Sequence, residues 1–159
     1  MVATLNSHPE ITLFVEIKRH SIEYFGLQNV VDSVLHHLTL AKFNVVIISF
    51  VSDVISLVQS QKLYPVGWVI REYDHTHQQL AEHLQPDYIF CNIEKIDSPK
   101  SLWEGQWKWA LYDVKNPSHA CDLLNQGVAL IETGDIEKLA NDYQESLVRV
   151  FSRSSGTES

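Results

Sequence analysis

The stretch LFVEIKRH, residues 13–20, determines how this sequence folds. It begins as an apolar run, typical of a strand buried on both faces, yet it carries Glu16 and Lys18 two residues apart. Because side chains alternate along a strand, these two charges share a face with Phe14. The other face is wholly aliphatic: Leu13, Val15 and Ile17. We therefore expect one face to pack under helices and the other to hold an opposite-charge pair.

Similar apolar runs, short and rich in β-branched or aromatic residues, recur along the chain and predict further buried strands. The six runs are Leu13–Ile17, Val45–Phe50, Val66–Ile70, Tyr88–Cys91, Trp109–Val114 and Val128–Ile131. Helical patterns lie between most of them. Strand–helix alternation of this kind predicts a parallel sheet covered by helices.

Two of the helices are predicted from apolar spacing. Between Val30 and Leu38, apolar residues recur at intervals of three and four, and a shorter pattern runs from Val54 to Val58. We expect Ser52 or Asp53 to be the N-cap of the shorter helix.

The end of the chain has clear helix signals. Asn116-Pro117 supplies an N-cap and a first-turn proline, and Gly127 stands at the usual position just beyond a helix end. Residues 136–151 have the pattern of a final helix. The polar tail, residues 152–159, is predicted to be disordered.

Two architectures fit this alternation: an open doubly wound sheet, or part of a (β/α)8 barrel. A complete barrel typically needs about 250 residues, and this chain has 159. An open sheet would suggest a further function, nucleotide binding. This function is disfavoured because no glycine-rich loop follows a strand.

The charge balance excludes some partners. With 12 Lys plus Arg and 20 Asp plus Glu, the net charge is −8, which argues against nucleic-acid binding and against a polybasic membrane patch. A phosphate-bearing substrate remains possible, because one local Lys or Arg can bind a phosphate.

Other features predict a cytoplasmic protein. No apolar stretch is long enough to span a bilayer, and the N-terminus MVATLNSHPE lacks the pattern of a signal peptide. Cys91 and Cys121 lie far apart, and we expect two reduced, packed thiols.

Glu16 and Lys18 are the best candidates for a functional site. They would lie at the C-terminal end of their strand, where barrel enzymes have their active sites. A carboxylate there can bind a divalent cation, and a lysine can meet a phosphate oxygen. A structural Glu–Lys pair that closes the strand explains the spacing equally well.

Four stretches in order resemble the glycerophosphodiester phosphodiesterase family. They are FVEIKR (14–19), VVIISF (45–50), GWVIREYD (67–74) and KWALYDVKNPSHACDLLNQGVALIET (108–133). The resemblance covers most of residues 5 to 140. It implies a TIM-type (β/α)8 barrel, here an incomplete barrel of about six βα units that forms one partial domain over residues 1–151.

The resemblance also implies a function: hydrolysis of glycerophosphodiesters, in lipid metabolism, with a divalent metal such as Mg²⁺ or Ca²⁺. Glu16 matches the family's metal-ligand glutamate, and Lys18 matches the catalytic lysine beside the phosphate. Phe50 matches an apolar residue that walls the pocket. Tyr112 stands where the family has the tryptophan of W-T-V-N, and Ile131-Glu132-Thr133-Gly134 replaces the family's I-I-T-D.

Three family motifs are absent upstream of Glu16, since only fifteen residues precede it. The family opens with H-R-G, E-x-D and H-D, whose two histidines form its acid–base pair. The resemblance therefore implies that this chain matches the C-terminal two-thirds of such an enzyme and is inactive alone. The alternative is a non-catalytic barrel remnant or phosphate-binding module. Either could form a homodimer through exposed strand edges.

Further residues are candidates by position. Trp68 is expected inside the barrel, and Arg71 follows at the C-terminal end of the same strand as a possible phosphate contact. Three tryptophans, Trp103, Trp107 and Trp109, form either an aromatic wall for a headgroup or the packing of a long loop. His75 and His77 are expected at a solvated helix start and not at a metal site.

Overall fold

The computed structural model describes residues 2–97 and 101–141. The last helix is described only as residues 136–141, so the rest of that predicted helix and the predicted disordered tail lie outside the described residues. No helix within the described ranges is both long and apolar enough to cross a bilayer.

The described chain alternates strands and helices. The strands are β1 Thr12–Glu16, β2 Asn44–Ser49, β3 Val66–Val69, β4 Tyr88–Asn92, β5 Lys108–Tyr112 and β6 Leu130–Ile131. The helices are α1 Val2–Leu5, α2 Arg19–Phe25, α3 Leu27–Leu38, α4 Ser52–Gln61, α5 His75–Leu84 and α6 Pro117–Asn125, with a 3₁₀ turn at Ile93–Lys95.

All six predicted strands are confirmed, in one sheet with the order β1-β2-β3-β4-β5-β6. The strand pairs with a described register are parallel. A sequential parallel sheet alternating with helices is the arrangement of a (β/α)8 barrel, and six strands make it incomplete. The open doubly wound alternative is excluded, because that fold reverses its strand order at a switch point.

The chain divides into two compact units. The first comprises Met1–Phe90 and Trp103–Trp107, and the second Cys91–Leu102 and Lys108–Ser159. The single-domain description of residues 1–151 stays a prediction.

The register in the first unit fixes which residues share a face. Glu16 pairs with Ile48, Ile48 with Gly67, and Gly67 with Tyr88. Paired residues of a sheet point the same way, so this row lies on one face together with Phe14. The opposite row carries buried aliphatic residues, among them Ile47, Val66 and Ile89.

The sheet of the first unit curls toward the face of Phe14. The Phe14 ring centroid lies 5.5 Å from that of Phe90 and 5.8 Å from that of Tyr88, although β2 and β3 stand between their strands. In a flat sheet, strands three positions apart are separated by about 14 Å. The aromatic side chains therefore fill the concave side, as expected for the inside of a barrel.

Gly67 allows this close packing. A Cβ at Gly67 would lie 2.8 Å from Cε2 of Phe90 and 2.9 Å from Cγ2 of Ile48. Any larger residue would push the Phe90 ring away, so glycine makes room for the aromatic cluster.

In the second unit, the helix signals of the sequence are confirmed. The Asn116 side chain accepts a hydrogen bond from the His119 N–H, so Asn116 is the N-cap of α6. Gly127 follows the helix end with a φ of +95°, a backbone conformation that favours glycine. β5 and β6 then pair in parallel, with Ala110 opposite Leu130.

Some local predictions are wrong. Val51, and not Ser52 or Asp53, is the N-cap of α4, and no side chain caps this helix. Helix α2 has no counterpart among the predicted elements. Both cysteines are buried and no disulfide joins them, as expected.

Candidate functional site

Glu16 and Lys18 form an ion pair at the C-terminal end of β1. Lys18 Nζ lies 3.8 Å from Glu16 Oε2, and the Lys18 side chain is 59% exposed against 33% for Glu16. Lys18 keeps an extended backbone at the N-cap of α2, so the alternation continues through it. The prediction that the two charges share a face and lie together is confirmed. A contact this exposed contributes little to stability, so both groups are available to a ligand.

Ser49 fixes the position of this pair. It is the fully buried polar residue at the end of β2, and its Oγ donates to the Ile17 carbonyl at 2.7 Å. The same oxygen accepts the Val51 N–H at 3.1 Å. Because Ile17 lies between Glu16 and Lys18, this hydroxyl joins the end of β1 to the loop that begins α4.

Phe50 and Arg71 meet at the neighbouring strand ends. The Arg71 guanidinium carbon lies 4.9 Å from the centroid of the Phe50 ring, in a cation–π contact. Phe50 directly follows β2, and Arg71 comes two residues after the end of β3. The structure thus shows two contacting pairs, Glu16 with Lys18 and Phe50 with Arg71, at the C-terminal ends of β1, β2 and β3.

An aromatic stack lies just beyond Arg71. The rings of Tyr73 and Trp103 are parallel within 10°, with centroids 4.4 Å apart. Trp107 and Trp109 are buried, as the packing interpretation predicts for them. Trp103 is only half-buried, so it remains the candidate for an aromatic wall.

Trp68 does not lie inside the barrel, and this prediction is wrong. It follows Gly67 by one residue, so it points to the opposite face, and its ring stacks on His77 of α5 with centroids 5.7 Å apart. The sequence GWVI predicts that successive side chains point to opposite faces of the sheet, but not which of them point into the barrel. With Trp68 under α5, nothing supports the predicted contact of Trp68 with substrate.

His75 and His77 lie at a helix start, as predicted, but His77 is tied into the structure. Its Nδ1 lies 2.7 Å from Asp74 Oδ1, and the same carboxylate accepts the His77 backbone N–H at 2.8 Å. The backbone hydrogen bond from His77, followed by the side-chain hydrogen bond, lowers the pKa of Asp74. Asp74 and His77 thus form the cap of α5 and hold Trp68.

Tyr112 lies at the end of β5 in the second unit, half-buried. The next residue, Asp113, has a φ of +61° and accepts a hydrogen bond from the Asn92 amide at 2.7 Å. Beside them Lys115 Nζ lies 3.3 Å from Glu94 Oε1. The predicted contact of Tyr112 with substrate stays a prediction.

The described residues alone do not make a complete metal site. Within residues 2–97 and 101–141 no group of three or more His, Cys, Asp or Glu side chains is placed to bind a metal ion. Glu16 offers one partly exposed carboxylate. A divalent cation there would need further oxygen ligands besides Glu16.

Comparison with known proteins gives fold neighbours only. No protein-family model matches the chain, and no curated protein matches its sequence. A phosphodiesterase of Oleispira antarctica, solved in complex with the product sn-glycerol-3-phosphate, matches with a TM-score of 0.70 at 15% identity. A protein of Silicibacter pomeroyi DSS-3, described as a glycerophosphoryl diester phosphodiesterase, matches with a TM-score of 0.64 at 15% identity.

This chain has the fold of glycerophosphodiester phosphodiesterases. The matches cover 92% and 82% of it, so the resemblance found in the sequence motifs extends to the fold of most of the chain. The chain spans only 58% and 50% of the two solved chains. Six strands of an incomplete barrel agree with that coverage.

Proposed function

We propose that this chain binds the phosphate of glycerophosphodiesters at the C-terminal ends of β1, β2 and β3. The observation that supports this most strongly is the position of Lys18 and Arg71. Lys18 follows the end of β1, and Arg71 follows the end of β3 and contacts Phe50 after β2, in a protein whose net charge is −8. The Oleispira antarctica neighbour was solved with its product sn-glycerol-3-phosphate, which has the glycerol phosphate group that the proposed diesters also contain.

The two cations suit different roles. Lys18 is an exposed point charge that can follow a phosphate oxygen, while Arg71 presents a planar fork of donors for two oxygens. The contact with the Phe50 ring restricts the Arg71 side chain, which would reduce the entropy lost when a phosphate binds. The half-buried Trp103–Tyr73 stack would border the alcohol portion of the diester.

Within the proposed reaction, water hydrolyses the diester to an alcohol and glycerol phosphate. Lys18 would act as the catalytic residue of this chain by stabilising charge on the phosphate as the bond to the alcohol breaks. Glu16 would be one ligand of a divalent cation such as Mg²⁺ or Ca²⁺. Such a cation, when bound, supplies Lewis-acid polarisation of the phosphoryl oxygen.

A second candidate is a phosphate-binding module without catalysis. It is favoured by the shortage of metal ligands among the described residues. Both candidates predict that this chain alone binds glycerol phosphate and does not turn over a diester.

Isothermal titration with sn-glycerol 3-phosphate tests the shared claim. Lys18→Ala and Arg71→Ala should each weaken binding about tenfold, since a hydrogen bond to a charged group contributes about 1.5–3 kcal/mol before solvent screening. Lys42→Ala is the matched control, because exposed Lys42 lies just before β2, at the other end of the sheet. Equal affinities for the wild type, Lys18→Ala and Arg71→Ala would refute the site.

Alcohol release from glycerophosphocholine, with and without a chelator, then tests the inactivity that both candidates predict for this chain alone. We expect none from this chain alone. Metal-dependent turnover that Glu16→Gln abolishes would exclude the binding module and contradict the expectation of inactivity.

A further inference from the structure

The Tyr73–Trp103 stack is an anchored aromatic surface within the first unit. The loop that carries Tyr73 is held at both ends: the buried Ile70 donates its N–H to a β4 carbonyl at 2.9 Å, and Asp74 is the N-cap of α5. Between these two points Arg71 and Tyr73 stand two residues apart, so their Cα atoms are separated by at most about 7 Å. A small ligand can therefore reach both side chains.

The segment that carries Trp103 is anchored as well. A Cβ at Gly105 would overlap the ring of Trp107, which is itself buried, so the chain folds back closely on that tryptophan. The Trp103 ring is then parallel to the Tyr73 ring within 10°, with centroids 4.4 Å apart. Two rings fixed in this way lose little conformational entropy when a ligand binds against them.

Part of this aromatic surface is open, and its charge favours a cation. Tyr73 and Trp103 are each only half-buried, whereas Trp107 in the same segment is 7% exposed. The face of an aromatic ring carries partial negative charge and attracts cations, an attraction that a neutral alcohol does not gain. Glu72 precedes Tyr73 and Glu104 follows Trp103, and both of these acidic residues are exposed. Their negative charge adds to the preference of the rings.

We propose that the Tyr73–Trp103 stack binds a quaternary ammonium headgroup, such as choline, in the alcohol portion of the diester. The inference rests on the proposed phosphate site, because one loop supplies Arg71 to the phosphate and Tyr73 to the headgroup. In a phosphocholine group only an oxygen and two carbons separate the phosphorus from the nitrogen, which suits two contacts from one short loop. A fully methylated nitrogen has no N–H to hydrogen-bond, so it suits an aromatic face better than the primary ammonium of ethanolamine does.

A neutral isostere of choline tests the charge preference without changing the protein. In the 3,3-dimethylbutyl diester of glycerol phosphate, a carbon replaces the choline nitrogen, so the shape is kept and the charge is lost. Isothermal titration of the whole chain should show that glycerophosphocholine binds about tenfold more tightly than this isostere. That ratio corresponds to about 1.4 kcal/mol, within the range of cation–π contacts. Equal affinities for the two diesters would overturn the proposed subsite.

The same titration with sn-glycerol 3-phosphate distinguishes this inference from the proposed function. That ligand carries the phosphate and lacks a headgroup. If it binds while the two diesters do not differ in affinity, the phosphate site stands and the headgroup subsite is refuted. If none of the three ligands binds, both proposals fail.

Substitutions of Trp103 assign the preference to the stack. Trp103→Leu keeps an apolar side chain but removes the ring, so the ratio between the two diesters should fall from about tenfold to about one. Trp103→Phe keeps an aromatic face and should retain a ratio of at least about threefold. Tyr24→Leu is the matched control, because Tyr24 lies on α2 with 82% exposure and its ring packs on Phe25.

The ratio in the Tyr24→Leu control should stay at about tenfold, and circular dichroism confirms that each variant is folded. A ratio in folded Trp103→Leu that also stays near tenfold would place the cation on another surface and contradict the proposal.

Discussion

Ser49 is the single residue on which the geometry of the candidate site depends most. It is buried, and its two hydrogen bonds join Ile17 of the β1 end to Val51 of the next loop. The strand alternation predicts that Glu16 and Lys18 share a face. It does not predict Ser49 or the phase of Trp68, because both depend on which side of the sheet the helices cover. The sequence feature that pointed to Ser49 is that it is the one polar residue in the apolar run VVIISF, residues 45–50.

Replacing Ser49 by alanine should lower the free energy of unfolding by about 1–3 kcal/mol, because the buried Ile17 carbonyl and the part-buried Val51 N–H lose their partner. Urea unfolding followed by circular dichroism measures this. Ser60→Ala is the control: that hydroxyl donates to the Leu57 carbonyl at an exposed position, and its loss should change stability by less than about 0.5 kcal/mol. Equal effects of the two changes would contradict the role given to Ser49.

At the level of elements, the strands were predictable and the helix ends only partly so. Each apolar run is long enough to form a strand, and the cap residues Asn116 and Asp74 have side chains that accept backbone hydrogen bonds. Helix α4 begins after Val51, whose side chain cannot accept a backbone hydrogen bond. The start of this helix is fixed instead by Ser49, whose hydroxyl accepts the Val51 N–H. At the start of α4, a contact with another element thus takes the place of a capping side chain in the local sequence.

The cap of α5 predicts a pH-dependent stability. The His77 N–H lowers the pKa of Asp74, so the charged form stabilises the fold. That contribution is present above the ordinary aspartate pKa of about 3.9 and is lost as the pH falls through the lower folded value. In Asp74→Asn, which caps without charge, stability should be lower than in the wild type at neutral pH. The difference should shrink as the pH falls below about 4.

Urea midpoints of both proteins between neutral and acidic pH measure this prediction. Asp53→Asn, in the first turn of α4, is the control for a general effect of removing one carboxylate near a helix start. A difference between wild type and Asp74→Asn that stays constant down to acidic pH would contradict it.

At the scale of the whole molecule, the six-strand sequential sheet supports the family fold, and the chain spans 58% and 50% of the two solved neighbours. The strand–helix alternation allowed two architectures, and the ordered motifs selected the barrel correctly. The division into two compact units was not predictable, because each unit combines segments that are not continuous in the sequence. Lys18, Phe50 and Arg71 all belong to the first unit, which therefore holds the proposed phosphate site.

The most direct test is a ¹H–¹⁵N NMR titration of the whole chain with sn-glycerol 3-phosphate. The amide signals of residues 16–21, 50–51 and 71–73 should shift in a saturable manner, because they surround the two cations at the ends of β1, β2 and β3. Signals of residues 42–44, at the opposite end of the sheet, should not move. Shifts confined to that opposite end, or no shifts at saturating ligand, would contradict phosphate binding at this site.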